Sequence, residues 1–92
     1  KIKSQIILIE SYEIFNNTLT FIVELEYVVV YDGELNVRQI IKKKNIGILT
    51  FDNSYLILTN LINDKIHIFA LNNTQSFSKT STFLLVIFLS KL

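Results

Sequence analysis

Few residues in this chain could do chemistry, and their types limit what it could be. A nucleophile needs a base within reach, and the sole imidazole, His67, sits in the alternating run Ile66-His67-Ile68-Phe69, the setting of a histidine carried on a strand. Carboxylates occur as the close pairs Glu10/Glu13 and Glu24/Glu26. Glu24 and Glu26 alternate onto the polar side of an amphipathic stretch, where solvation is the ordinary reading and paired acid-base work the rarer one. Asp52 opens the polar cluster Asp52-Asn53-Ser54, and Lys42-Lys43-Lys44 is the single basic run. Such a run suits the negative end of a helix dipole better than it argues for a bound phosphate.

What is missing excludes more. The sequence has no Cys, which removes a disulfide framework, a thiol nucleophile and any Cys/His zinc site. Its two glycines, Gly33 and Gly47, cannot build either glycine-rich phosphate loop. Lys and Arg total 9 against 8 Asp and Glu, a net charge of +1. So balanced a surface has no means of gathering phosphate backbones or anionic lipid, and neither nucleic acid nor membrane is expected as a partner. The longest apolar run, Phe83 to Leu89, is far short of the ~20 residues of a spanning helix. Lys1 to Lys3 precede no signal-peptide core, so the expected location is intracellular, in the cytoplasm. The triplets Asn16-Asn17-Thr18 and Asn72-Asn73-Thr74 match the glycosylation pattern, but with no secretory signal they read as chance.

Half of the 92 residues are apolar, enough for a packed core and too many for a disordered chain. With no linker-like stretch and no alignable internal repeat, residues 1–92 are expected to form one unit. Asn16-Asn17, Asp32-Gly33, Asp52-Asn53-Ser54, Asn63-Asp64 and Asn72-Asn73 read as turns, because these side chains bond their own main chain or tolerate left-handed backbone. Between them, Leu19 to Tyr27 alternates with period two, and Ile6 to Ile14, Gly47 to Phe51, Tyr55 to Thr59 and Lys65 to Ala70 are rich in β-branched and aromatic residues, so all five read as strands. Leu35 to Lys44 reads differently. Val37, Ile40, Ile41 and Lys44 fall at i, i+3, i+4 and i+7, which predicts a short amphipathic helix with Asp32 and Glu34 at its positive end. The expected fold class is therefore α+β and β-rich, with short antiparallel strands and one short amphipathic helix.

Read as consecutive words, the chain resembles a eukaryotic-type Ser/Thr protein kinase of the NIMA-related group. Ile6 to Glu13 (IILIESYE) is similar to the lead into the fourth kinase strand. Leu19 to Tyr27 (LTFIVELEY), followed by Asp32-Gly33-Glu34-Leu35, is similar to the fifth strand, the hinge and the G-G-E-L helix entry. Gly47 to Asn60 (GILTFDNSYLILTN) resembles the catalytic loop G-I-V-H-R-D-x-K-x-x-N-I-L-L, Lys65 to Leu71 (KIHIFAL) aligns on K-I-x-D-F-G-L, and Thr74 to Thr82 (TQSFSKTST) looks like an activation loop. The resemblance implies ATP and Mg²⁺ as ancestral ligands, Asp52 at the position of the catalytic base, and adenine contacts from the main chain of Glu26, Tyr27 and Val28.

The departures from that pattern speak against activity. Kinases need a glycine-rich cover, a strand Lys paired with a helix Glu, a base Asp with a metal-binding Asn, and a second metal-binding Asp. The first two would precede Lys1. Thr50 and Phe51 replace the catalytic-loop His and Arg, Tyr55 falls where Asn is needed, and Ile68 and Ala70 replace the Asp and Gly of the metal triplet. An isoleucine cannot hold Mg²⁺, so no metal site and no resident cofactor are expected. The implied protein is a truncated, degenerate kinase-like fragment, inactive by itself, whose partner would be another protein or the remainder of a kinase domain. Two rival resemblances place the chain among small β-rich interaction modules. Gly47 to Asp52 with Leu56 to Leu58 looks like the Sm-like pattern, without its Asn and later Arg-Gly, and Asp52 to Leu71 resembles one β-propeller blade.

Overall fold

The computed structural model describes residues 5–14, 16–73 and 76–84, and among them every regular element is a strand. Eight strands follow one another: β1 (Ile6–Ile14), β2 (Asn17–Glu24), β3 (Val28–Tyr31), β4 (Val37–Ile41), β5 (Ile46–Phe51), β6 (Tyr55–Asn60), β7 (Lys65–Leu71) and β8 (Phe77–Leu84). They form two four-stranded sheets, β1-β2-β3-β4 and β5-β6-β7-β8, each in sequence order. The chain divides between Ile46 and Gly47 into two compact units.

In the first unit all three ladders are antiparallel. Glu10 pairs with Phe21, Phe21 with Val30 and Val30 with Gln39, while one row away Ile9 pairs with Ile22, Ile22 with Val29 and Val29 with Ile40. Because side chains alternate between faces, Leu19, Phe21 and Val23 of β2 share a face with Val28 and Val30 of β3 and Ile41 of β4. All six are buried. Tyr12 lies edge-on to Phe21 on the same face, with ring centroids 5.9 Å apart.

The second unit repeats the plan. Leu56 pairs with Phe69 and Leu58 with His67, and β7 continues antiparallel to β8 through His67–Thr82 and Leu71–Phe77. Its buried apolar side chains are Leu49 and Phe51 of β5, Leu56 and Leu58 of β6, Phe69 of β7 and Phe77 of β8. Phe51 and Phe77 meet edge to face at 5.6 Å, the geometry their ring quadrupoles favour.

The expected α+β class is overturned: both sheets are antiparallel and the described residues contain no helix. Leu35 to Lys44, read as an amphipathic helix, holds β4 and its flanking loops. Asp32 Oδ1 accepts the main-chain N–H groups of Glu34 and Asn36, both at 2.9 Å. Leu35 takes a left-handed φ of 64°, and the chain then reverses onto β3. Val37, Ile40 and Ile41 do not share a face: Ile41 is buried, whereas Val37 and Ile40 are exposed. A register shift in the ladder between Val30 and Tyr31 inserts one residue, and that bulge gave an alternating segment the look of a helical repeat. The long strand expected from Leu19 to Tyr27 also stops early, at Glu24, whose N–H donates to the Tyr27 carbonyl at 2.8 Å in a tight turn into β3.

Candidate functional site

Asp52 lies in the connection between β5 and β6. Its Oδ1 accepts the N–H of Ser54 at 3.0 Å and of Tyr55 at 2.8 Å, and its own N–H donates to the Tyr55 carbonyl at 3.2 Å. Asn53, between them, has a φ of 74°, which Asn tolerates better than most side chains. The bonds from Tyr55 and then Ser54 hold the Asp52 carboxyl below its usual range, each outweighing the desolvation that opposes them. Both bonds commit the carboxylate to the turn.

The same device recurs along the chain. Asp32 is held low first by the Asn36 N–H, then by Glu34 N–H and the Asn36 side chain, with Arg38 adding a weaker attraction. Asn60 Oδ1 accepts from Ile62 and Asn63, Asn63 Oδ1 from Lys65, and Asn72 Oδ1 from Ser76. Four of the five clusters read as turns from sequence thus have a capping Asp or Asn side chain. The fifth, at Asn16, reverses the chain through a φ of 66°.

Glu26, Tyr27 and Val28 occupy the β2–β3 turn and the start of β3. Val28 is paired on both sides, with Val23 of β2 and Ile41 of β4, and the Tyr27 carbonyl already accepts from Glu24. Two of the main-chain positions that the resemblance assigns to adenine, the Tyr27 carbonyl and Val28, are thus engaged within the sheet and its turn. The residues at the metal positions do not fit Mg²⁺. Ile68 is a strand residue between Ile57 and Ser81, and among the described residues no three His, Asp or Glu side chains gather into a metal site. Asp52 is a turn residue, and the structure does not bring the Glu26–Val28 segment and Asp52 into one described unit.

His67 stands on β7 as its alternating run indicated. It is buried between Leu58 and Thr82, and its Nδ1 lies 3.3 Å from the Thr82 hydroxyl. Thr82 falls in the stretch that resembled an activation loop; residues 76–82 of that stretch run into and along β8, and 74–75 lie outside the described residues. The apolar run from Phe83 is described only for Phe83 and Leu84, at the end of β8.

Among the described residues, the second unit has an open groove of about 470 Å³ on the face opposite its buried apolar residues, lined by Tyr55, Ile57, Ile68, Ala70 and Phe83 together with the polar Asp52, Thr80 and Ser81. Sequence reasoning missed it because Tyr55 and Ile57 meet Ala70 and Ile68 only once the β6–β7 register is fixed. It offers apolar surface, one carboxylate and two hydroxyl-bearing residues, a lining suited to binding. No protein-family model, curated protein or solved structure matches this chain.

Proposed function

We propose that the chain is a non-catalytic interaction module built from β-repeats, each unit corresponding to one blade of the β-propeller type. One observation carries this reading: two consecutive stretches of the chain each fold into a four-stranded antiparallel sheet whose order is the order of the sequence. Four-stranded sheets recurring in tandem are the building plan of propeller blades, which serve mostly as rigid frames for partner-binding loops. The side-chain-capped turns support it, since they make short connections stiff without proline. Phosphoryl transfer draws no support from these residues. Asp52 is committed to its turn, and the side chain at the metal position is Ile68.

Repeat architectures gain stability from nearest-neighbour contacts, so their melting temperature climbs with repeat number. The test is to join one, two and three copies of the 92-residue chain head to tail and follow thermal unfolding. The repeat reading expects a higher midpoint and a steeper transition with each added copy. Midpoints independent of copy number would reject it.

A further inference from the structure

We propose that β1 is a homodimerisation edge, on which two copies of this chain pair their β1 strands antiparallel about Ile9 and so join their first sheets into one eight-stranded sheet. Among the described residues β1 has a sheet partner on one side only, β2. At nine residues it is the longest strand among the described residues, it lacks the Lys, Arg and Pro that blunt natural edges, and its own register shift, between Ile6 and Leu8, leaves Leu8 to Ile14 regular. The opposite edge of the same sheet, β4, is five residues long, carries Arg38 and faces a register shift. Edge β8 of the other sheet carries Lys79 beside a register shift of its own.

The side chains say which strand β1 would accept. Ile9, Ile22, Val29 and Ile40 form one row of β-branched residues, one from each strand. Val29, flanked on both sides, is 8% exposed, whereas Ile9 and Ile40 at the two ends are 56% and 58% exposed. Pairing about Ile9 sets Ile9 against its own copy, continues the row across both sheets and covers the exposed end. Charge fixes the register. Pairing about Glu10 would set two carboxylates directly opposite, which is unfavourable. Pairing about Ile9 places Glu10 opposite Leu8 and sets Glu13 against the stretch before the register shift at Ile7, which carries no charge from Gln5 to Ile7, so no like charges stand face to face. The proposal is independent of the blade reading, since it concerns one edge and not the repeat.

With no native cysteine, a single introduced thiol reports the pairing. Directly opposed residues on antiparallel strands have Cα atoms about 4.5–5.5 Å apart, within disulfide reach. Two Ser11 residues in this register would lie about 14 Å apart along the strands, beyond it. The experiment oxidises Ile9→Cys and Ser11→Cys chains at equal micromolar concentration and reads the product on a non-reducing gel, beside sedimentation of the unmodified chain and of Ile9→Lys. The expected result is a covalent dimer for Ile9→Cys at least tenfold in excess of that for Ser11→Cys. The unmodified chain should sediment as a dimer, and Ile9→Lys as a monomer with unchanged strand circular dichroism. Preferential crosslinking of Ser11→Cys would overturn the register, and a monomeric unmodified chain throughout the micromolar range would overturn the edge itself.

Discussion

Asp52 and Tyr55 hold each other from both ends of one turn: the Asp52 carboxylate accepts the Tyr55 N–H at 2.8 Å while the Asp52 N–H reaches the Tyr55 carbonyl at 3.2 Å. That reciprocal pair ends β5 and starts β6. It gives the aspartate at the kinase-like position a structural task, and its consequences can be measured.

Replacing Asp52 separates shape from charge. Asp52→Asn keeps an oxygen able to accept from Ser54 and Tyr55, so it should melt near the parent, whereas Asp52→Ala leaves both donors to water and should lower the midpoint. Thermal melts at pH 7 of the two variants check this. Equal losses in both would mean that the negative charge, and not the acceptor, matters.

Acid should weaken the fold through the same two turns. Asp32 and Asp52 have folded values below their ordinary ones. A depressed carboxyl contributes stability that is present above the unfolded value, near 3.9, and is lost as pH falls through the folded one. Denaturation midpoints should therefore be level down to about pH 4 and decline below it. In the double variant Asp32→Asn/Asp52→Asn the decline should be shallower, which equilibrium unfolding between pH 2 and 6 would measure.

Leu35 is a second site of local tension, with φ 64° and an exposed side chain. A left-handed residue bearing a Cβ costs roughly 1–2 kcal/mol, partly offset on the other side by the greater freedom glycine brings to the unfolded chain. Leu35→Gly should raise stability by up to about 1 kcal/mol, read as an increase of a few degrees in the midpoint. Had Leu35 begun a helix, the same change would lower it.

Ile40 and Ile41 distinguish strand from helix. Neighbours on a strand point to opposite faces, and Ile41 is buried while Ile40 is exposed. Ile41→Asp should cost several kcal/mol, because it sets a carboxylate against Val28 without a partner. Ile40→Asp should be close to neutral in chemical denaturation. Similar losses at both positions would restore the amphipathic helix. On the same face as Ile41, Phe21→Ala should cost about 3–5 kcal/mol, as expected for emptying the site of a fully buried ring.

The parts of this fold legible in the sequence are those whose local chemistry and tertiary fate agree. β1 was read to its observed ends, Ile6 and Ile14, and β5, β6 and β7 to within one residue of theirs. In each, β-branched and aromatic residues run up to a turn marked by Asn or Asp. β8 was not legible because Ser78, Lys79, Thr80 and Thr82 are exposed on an outer strand, with no apolar alternation to mark them; pairing with β7 makes it a strand. β3 and β4 were missed because Val28 to Tyr31 is short and the bulge opposite it disguises the period of β4. The doubling of the sheet escaped notice too. Its strands run nine, eight, four and five residues in one unit and six, six, seven and eight in the other, so the repeat lies in the topology and not in any fixed spacing. As for the site, Asp52 was correctly placed in a turn, but only the bonds to Ser54 and Tyr55 show what its carboxylate does there.

The central claim, a β-repeat module that binds and does not transfer phosphate, is tested most directly by amide correlation spectra of the chain titrated with Mg-ATP. The account predicts dispersed strand resonances and no saturable shift at Glu26, Tyr27, Val28 or Asp52 up to millimolar nucleotide. Saturable movement of those four resonances together would contradict it and return the chain to the kinase-like reading.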